Sequence, residues 1–227
     1  MVTRELTSFV RGALPPPPAG VLEIGAGKGE LAGVLSDAGY AMTAIDPAAE
    51  PGGVVRRCSL LETRGSFDVA VAVVSLHHID PLEESCAHLA TLLPDGAPLV
   101  IDELDIDRYD ERAMRWWHSQ RQALGLGTDE RDHGPLEILE HMREHIHPLD
   151  AVCAALRPYF EVGQPVRGPY LHRWELRPSL YEVEVDLIAL AAVAPRSIAR
   201  ISRSLIGAYL ARATTFLPGT GSFELGD

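Results

Sequence analysis

Cysteine is scarce in this chain. Cys58, Cys86 and Cys153 are too few and too scattered for a disulfide framework, and no CxxC pair offers a zinc or redox site. They read as reduced, buried thiols. Basic charge is short as well: twenty Lys plus Arg face thirty-two Asp plus Glu, a net of −12. That is the wrong sign for a surface that tracks a phosphate backbone, so no nucleic-acid partner is expected. Long apolar runs are missing, none approaching the roughly 20 residues that cross a bilayer, so no membrane partner is expected either. The opening Met1-Val2-Thr3-Arg4-Glu5 carries an acid where a secretory leader is basic, with no apolar stretch behind it, which points to the cytoplasm. Internal repeats are lacking too.

What is present is an ordinary globular composition, 46% hydrophobic and 23% charged over 227 residues. It suffices for one large domain, or one domain with an inserted cap. An amphipathic helix is expected over 3–14, stopped by Pro15-Pro16-Pro17-Pro18, which cannot be helical. Apolar runs at 21–24, 41–45, 67–74 and 98–101 then alternate with helical periods at 30–38 and 81–93. Strands apolar on both faces, separated by helices, predict an α/β fold with a mostly parallel sheet covered on both sides.

Beyond Asp102 the texture changes. Charged and aromatic residues follow a helical period over 105–122, Gly125-Leu126-Gly127 interrupts, and a second helix is expected over 135–147. Further on, the pattern reads as a helix at 150–156, a strand at 160–170, a helix at 180–193 and a last strand at 196–201. The expected division is therefore an N-terminal helix and proline connector (1–19), a core (20–104), a helical cap insertion (105–147), the rest of the core (148–213) and a loose Gly-rich tail (214–227).

The most informative segment is Val21-Leu22-Glu23-Ile24-Gly25-Ala26-Gly27-Lys28-Gly29-Glu30-Leu31. An apolar strand runs into glycines at alternate positions and then into a helix, which lets the backbone turn tightly and a ligand approach without Cβ interference. The next predicted strand ends in Asp46, placed to accept hydrogen bonds from ribose hydroxyls. Two plainer readings stand beside these: a strand-to-helix turn of some other nucleotide-binding α/β protein, and a turn-forming carboxylate before Pro47.

Glycines spaced Gly-x-Gly-x-Gly behind an acidic residue, with Asp46-Pro47 after strand two and the apolar strand leading to Ser75-Leu76-His77-His78, resemble the class I S-adenosylmethionine-dependent methyltransferases over about 21–102. The resemblance implies a Rossmann-like fold, a mostly parallel seven-stranded sheet with helices on both faces, and S-adenosyl-L-methionine as cofactor, leaving as S-adenosyl-L-homocysteine. It implies that Glu23 sits near the methionine amino group, that Gly25, Ala26, Gly27 and Gly29 line the methionyl and ribose portion, and that Asp46 and Pro47 meet the ribose. Ser75 and Leu76 would border the methyl-donor pocket. One departure is plain: many members have an Asp after strand three that meets the adenine amino group, whereas this chain has Arg57-Cys58-Ser59-Leu60-Leu61. Ser59, beside Leu60, or only a backbone amide is left to replace it.

Methyl transfer is an in-line displacement on an activated carbon, so the protein chiefly orients the acceptor; a hydroxyl or protonated amine also needs a base. Candidate bases lie at the carboxyl ends of strands four and five and in the cap: His77, His78, Glu103 and His118, with Asp102 and His147 nearby. Each has a structural alternative, the histidines packing locally and Glu103 standing as a solvated carboxylate at a helix N-terminus. Trp116 and Trp117 either pack on the sheet or wall a substrate pocket, and Tyr170 and Trp174 form an opposite wall or pack as part of a late strand. His141-Met142-Arg143-Glu144-His145 spells a zinc-protease pattern but reads as a solvated helical face, and no metal is expected. The strand-four end lacks the Asn/Asp-Pro-Pro-aromatic tetrad of nucleic-acid amino methylases, no Pro-Cys nucleophile occurs, and arsenic methylation would want clustered cysteines. The expected acceptor is a small organic molecule, methylated on oxygen or nitrogen by a monomer or homodimer. Two alternatives stay open: a catalytically degenerate module acting through a protein partner, and a protein or RNA methyltransferase.

Overall fold

The computed structural model describes residues 4–123, 134–163 and 206–213. A seven-stranded sheet runs through it, with strands β1 (Gly20–Ile24), β2 (Ala41–Ile45), β3 (Val55–Arg56), β4 (Val69–Val73), β5 (Pro98–Leu104), β6 (Phe160–Val162) and β7 (Ile206–Ala213) in the order β3-β2-β1-β4-β5-β7-β6. The first five are mutually parallel; β7 runs antiparallel to both β5 and β6. The expected mostly parallel α/β sheet is what the chain builds.

Strand alternation sorts the core into two layers. Leu22, Ile24, Ala70, Ala72, Leu99 and Ile101 face one side, where helices α3 (Leu82–Leu92) and α6 (Leu149–Leu156) bring Leu82, Leu89, Val152 and Leu156 onto them. Val21, Val69, Val71 and Val100 face the other, covered by Leu6 and Val10 of α1 (Arg4–Ala13) and Leu31 and Leu35 of α2 (Glu30–Asp37). By the same alternation, Glu23 points to the α2 side.

After β5 the chain makes a short turn at Ile106–Arg108 and forms α4 (Glu111–Ala123) and α5 (Pro135–His145). These two helices share a third hydrophobic cluster with Leu104, Tyr109, Met114 and Leu139, against which Val74, Trp116 and Trp117 pack. Arg143 ties the pair down by donating to the Tyr109 carbonyl at 2.9 Å. The cap therefore meets the sheet at the carboxyl ends of β4 and β5.

Of the strand expected over 160–170, Phe160–Val162 is described and 164–170 lies outside the described residues, as do the helix expected at 180–193 and the strand expected at 196–201; Ile206–Ala213 is a strand that the pattern did not suggest. Gly207 and three alanines in Ile206–Ala213 give little strand propensity, so pairing with β5 along seven registered positions, not local preference, supports that strand. In the core, Leu89→Ala should lower the unfolding free energy by about 2–5 kcal/mol in urea titration. Val54→Ser, at a position 80% exposed, should change it by no more than about 0.5 kcal/mol.

Candidate functional site

The chain leaves β1, winds outward to β2 and β3, and returns to lay β4 on the other side of β1. Ligands of open α/β sheets bind at such a switch point, outside the carboxyl ends of the strands. There the structure has a cavity of about 510 Å³. Gly25 and Ala26 both donate to the Ile45 carbonyl, at 2.9 and 3.0 Å, which bends the backbone sharply off β1. Gly25 has φ +68°, and a Cβ there would stand 2.4 Å from the Ser75 Cβ, so only glycine fits. Gly27, at φ +54°, has open space around it.

Asp46 joins the turn to β2. Its Oδ2 accepts from Gly27 N–H at 2.8 Å and its Oδ1 from Ala48 N–H at 2.8 Å. It is thus a turn former as well as a cavity-lining carboxylate, and each oxygen keeps a lone pair for a further donor. Of the residues expected to hold a cofactor, Gly25, Asp46, Pro47, Ser59, Leu60 and Ser75 line the cavity; Glu23, Ala26, Gly27, Gly29 and Leu76 do not. The sequence reading missed Cys58, Ile79, Asp80 and Ser85, which do line it.

The turn after β4 is held from three sides. Glu103 is 0% exposed, because β5 continues to Leu104 and seals it in; it is no solvated helix-end carboxylate. Its Oε1 accepts from Ser75 N–H at 2.6 Å and Leu76 N–H at 3.2 Å, and His77 donates from Nδ1 to its Oε2 at 2.5 Å. Ser75 in turn donates from Oγ to the Ile24 carbonyl at 2.7 Å. His147 grips the other flank, donating from its backbone to His77 O at 2.8 Å and from Nε2 to Ile79 O at 3.0 Å. These bonds keep Val74 at φ +52°, a conformation a β-branched residue adopts only when its surroundings impose it. Among the four expected bases, only His78 lines the cavity. It stacks on His77 with ring centroids 4.1 Å apart, and burial together with the neighbouring His77 holds its pKa below the usual histidine value.

Glu23 is 4% exposed on the α2 side of β1, and its Oε2 has no hydrogen-bond partner among the described residues. Burial raises its pKa from 4.5 to about 7, partly offset by the Ala32 backbone N–H. In the cap, Trp116 and Trp117 pack within the α4–α5 cluster and do not line the cavity, nor does His118, whose buried Nδ1 has no partner among the described residues. Tyr170 and Trp174 lie outside the described residues. His141 and His145 stack on α5 at 4.0 Å, with His145 Nδ1 donating to the His141 carbonyl at 2.7 Å.

A switch-point cavity bordered by a glycine turn and a strand-end carboxylate defines a Rossmann-like protein of the nucleotide-cofactor class. The sequence narrows the class: residues 2–135 match the methyltransferase domain family, and the chain belongs to that family, within the class I S-adenosylmethionine-dependent methyltransferases. An uncharacterized methyltransferase of Staphylococcus carnosus (strain TM300) is 29% identical over 114 residues, 44% of this chain and 55% of that protein. The chain thus spans about half the length of the curated relative it matches. Among solved structures, Burkholderia thailandensis 1,6-didemethyltoxoflavin-N1-methyltransferase, with bound 1,6-didemethyltoxoflavin and S-adenosylhomocysteine, aligns with a TM-score of 0.53 at 18% identity, covering 93% of this chain and 78% of that one. The (4+2)-cyclase SpnF aligns with a TM-score of 0.57 at 16% identity, covering 92% and 80%. At these identities the likeness is one of fold.

Two outcomes follow from this geometry. Gly25→Ala should destabilise the protein more than Gly27→Ala, because the first adds a steric collision to the left-handed strain of about 1–2 kcal/mol that both share; thermal unfolding of the two variants ranks them. Glu23 binds a proton in the folded state over a window where the unfolded chain has lost it, so its contribution to stability is complete below pH 4.5 and is lost as pH rises through about 7. Relative to Glu23→Gln, the unsubstituted protein should lose on the order of 3 kcal/mol between about pH 5 and about pH 8 in paired urea titrations.

Proposed function

We propose that the chain binds S-adenosylmethionine and transfers its methyl group to oxygen or nitrogen of a small organic acceptor, without a metal, in the cytoplasm. The observation that carries the reading is Asp46 and the glycine turn meeting at the rim of one cavity. The residues fit the cofactor. An unpartnered buried carboxylate oxygen on Glu23 suits a cationic amino group, and Asp46 retains acceptor capacity for a diol. When bound, the cofactor supplies a methyl group on a sulfonium, already activated for displacement. Three free thiols suit a reducing compartment.

The chain's own residues orient the acceptor, exclude water and take a proton. His78 is the base in this reading: it faces the cavity, and its depressed pKa leaves it neutral, with a lone pair available, at physiological pH. His77 and Glu103 are positioning residues, holding the turn that presents His78. The acceptor reaches the cavity between the strand ends and the cap, which meet at Val74, and Trp116 and Trp117 give the cap its aromatic body.

The direct test is incubation with S-adenosylmethionine and a panel of small amines, phenols and carboxylic acids, followed by mass spectrometry. A product heavier by one methyl group supports the proposal. Saturable cofactor binding with no acceptor methylated would point instead to a binding module that works through a protein partner. Once an acceptor is found, His78→Gln should lower kcat by about 100- to 10,000-fold. The unsubstituted rate should rise with pH through a midpoint below the ordinary histidine value of 6.5 and then level off.

A further inference from the structure

We infer that Ser85, near the start of α3, is the residue that reads the base edge of the cofactor. The inference rests on the reading that this chain binds S-adenosylmethionine, and it names a contact that neither the glycine motif nor the strand-end carboxylate supplies.

Ser85 is out of place where it stands. Helix α3 buries Leu82, Ser85, Cys86, Leu89 and Leu92, a stripe of helical spacing in which Ser85 is the single strongly polar member. Thr91, on the same helix, returns its hydroxyl to the His88 carbonyl at 2.7 Å, the usual way such a residue satisfies itself in a helix. The Ser85 hydroxyl makes no hydrogen bond among the described residues, yet the residue is 2% exposed and lines the cavity. Unlike Glu23 Oε2 and His118 Nδ1, the Ser85 hydroxyl is not sealed off without a partner: the little surface the residue keeps is open to whatever enters the cavity.

The order of the cofactor's parts says what enters there. With the amino group toward Glu23 and the ribose at Asp46, the base lies on the far side of Asp46, against the segment that follows β3. That segment and α3 wall the same end of the cavity, because His88, one turn beyond Ser85, donates from Nε2 to the Thr63 carbonyl at 2.9 Å. Cys58, Leu60, Leu61 and Ile79 make this end an apolar slot suited to a flat ring.

The other polar side chains of the cavity sit differently. Ser59 gives both its N–H and its Oγ–H to Glu62 Oε2, at 2.7 and 2.8 Å, and is only half-buried; Ser75 donates to Ile24 O beneath Gly25; each hydroxyl keeps its acceptor lone pairs. Asp80 is exposed. Among the described residues that line the cavity, Ser85 holds the one buried hydroxyl with no assignment. An exocyclic amino group on the base would donate to its Oγ, an acceptor supplied from α3 and not from the segment after β3.

Calorimetric titration with two probes tests this: S-adenosylhomocysteine, and its analogue with hydrogen in place of the 6-amino group. Ser85→Ala should weaken S-adenosylhomocysteine binding about two- to tenfold, the range for one hydrogen bond, and leave the analogue unchanged. Ser85→Thr, which keeps the hydroxyl, should preserve the difference between the probes. A loss that is equal for both probes, or absent for both, overturns the inference while leaving the cofactor reading intact. If the unsubstituted protein binds neither probe, the cofactor reading fails and this contact with it. Should Ser85→Ala fail to fold, Ser85→Cys, a far weaker acceptor of the same shape, is put through the same comparison and judged by the same outcomes.

Discussion

The carboxylate of Glu103 is the interaction on which the site depends. A fully buried negative charge is tolerable only when hydrogen bonds replace its water, and here three donors do so: Ser75 N–H, Leu76 N–H and His77 Nδ1–H. Those donors are consecutive residues in the turn after β4, so satisfying the charge dictates the shape of that turn. Val74 is driven into a left-handed conformation, Ser75 is brought under Gly25, and His78 is turned to the cavity. The glycine at 25 follows from the carboxylate at 103 through a chain of contacts.

Much of this was legible in the sequence. Runs of Val, Ala and Ile apolar on both faces fit a parallel sheet and little else, and the strand Ala41–Ile45 falls where its pattern puts it. The glycine spacing located the turn, and Asp46 stood out as the acid that ends a strand. The family resemblance added the seven-stranded sheet, which single elements could not convey. What escaped is equally physical. Glu103 stood as a candidate base at the end of strand five or as a solvated carboxylate at a helix N-terminus, whereas β5 extends to Leu104 and buries it. Ser85, between Glu84 and Cys86, was not singled out at all; the helical phase of α3, fixed by packing on the sheet, turns it inward. The short β6 and the alanine-rich Ile206–Ala213 owe their form to neighbours distant in sequence, which local pattern cannot register.

Charge is used sparingly inside and freely outside. The chain carries a net −12, yet the acids that matter are few and differently placed. Glu103 meets three donors, Asp46 is half committed to the turn, and Glu23 has one oxygen without a partner among the described residues. One residue type thereby serves as a brace, as a hinge pin and as a buried acid with a raised pKa. The fold alone would not reveal this, since a methyltransferase and a cyclase both share it.

The third hydrophobic cluster touches the cavity through Val74, while the two clusters on the sheet faces are complete without it. Most of the cap therefore packs on itself, and substitutions within α4 and α5 change the lid over the strand ends without disturbing the layers that position the glycine turn. Change in the cap is thereby mechanically separate from change in the glycine turn. Two mechanically distinct parts of a single chain meet at Val74, at Leu104 and through the two bonds of His147.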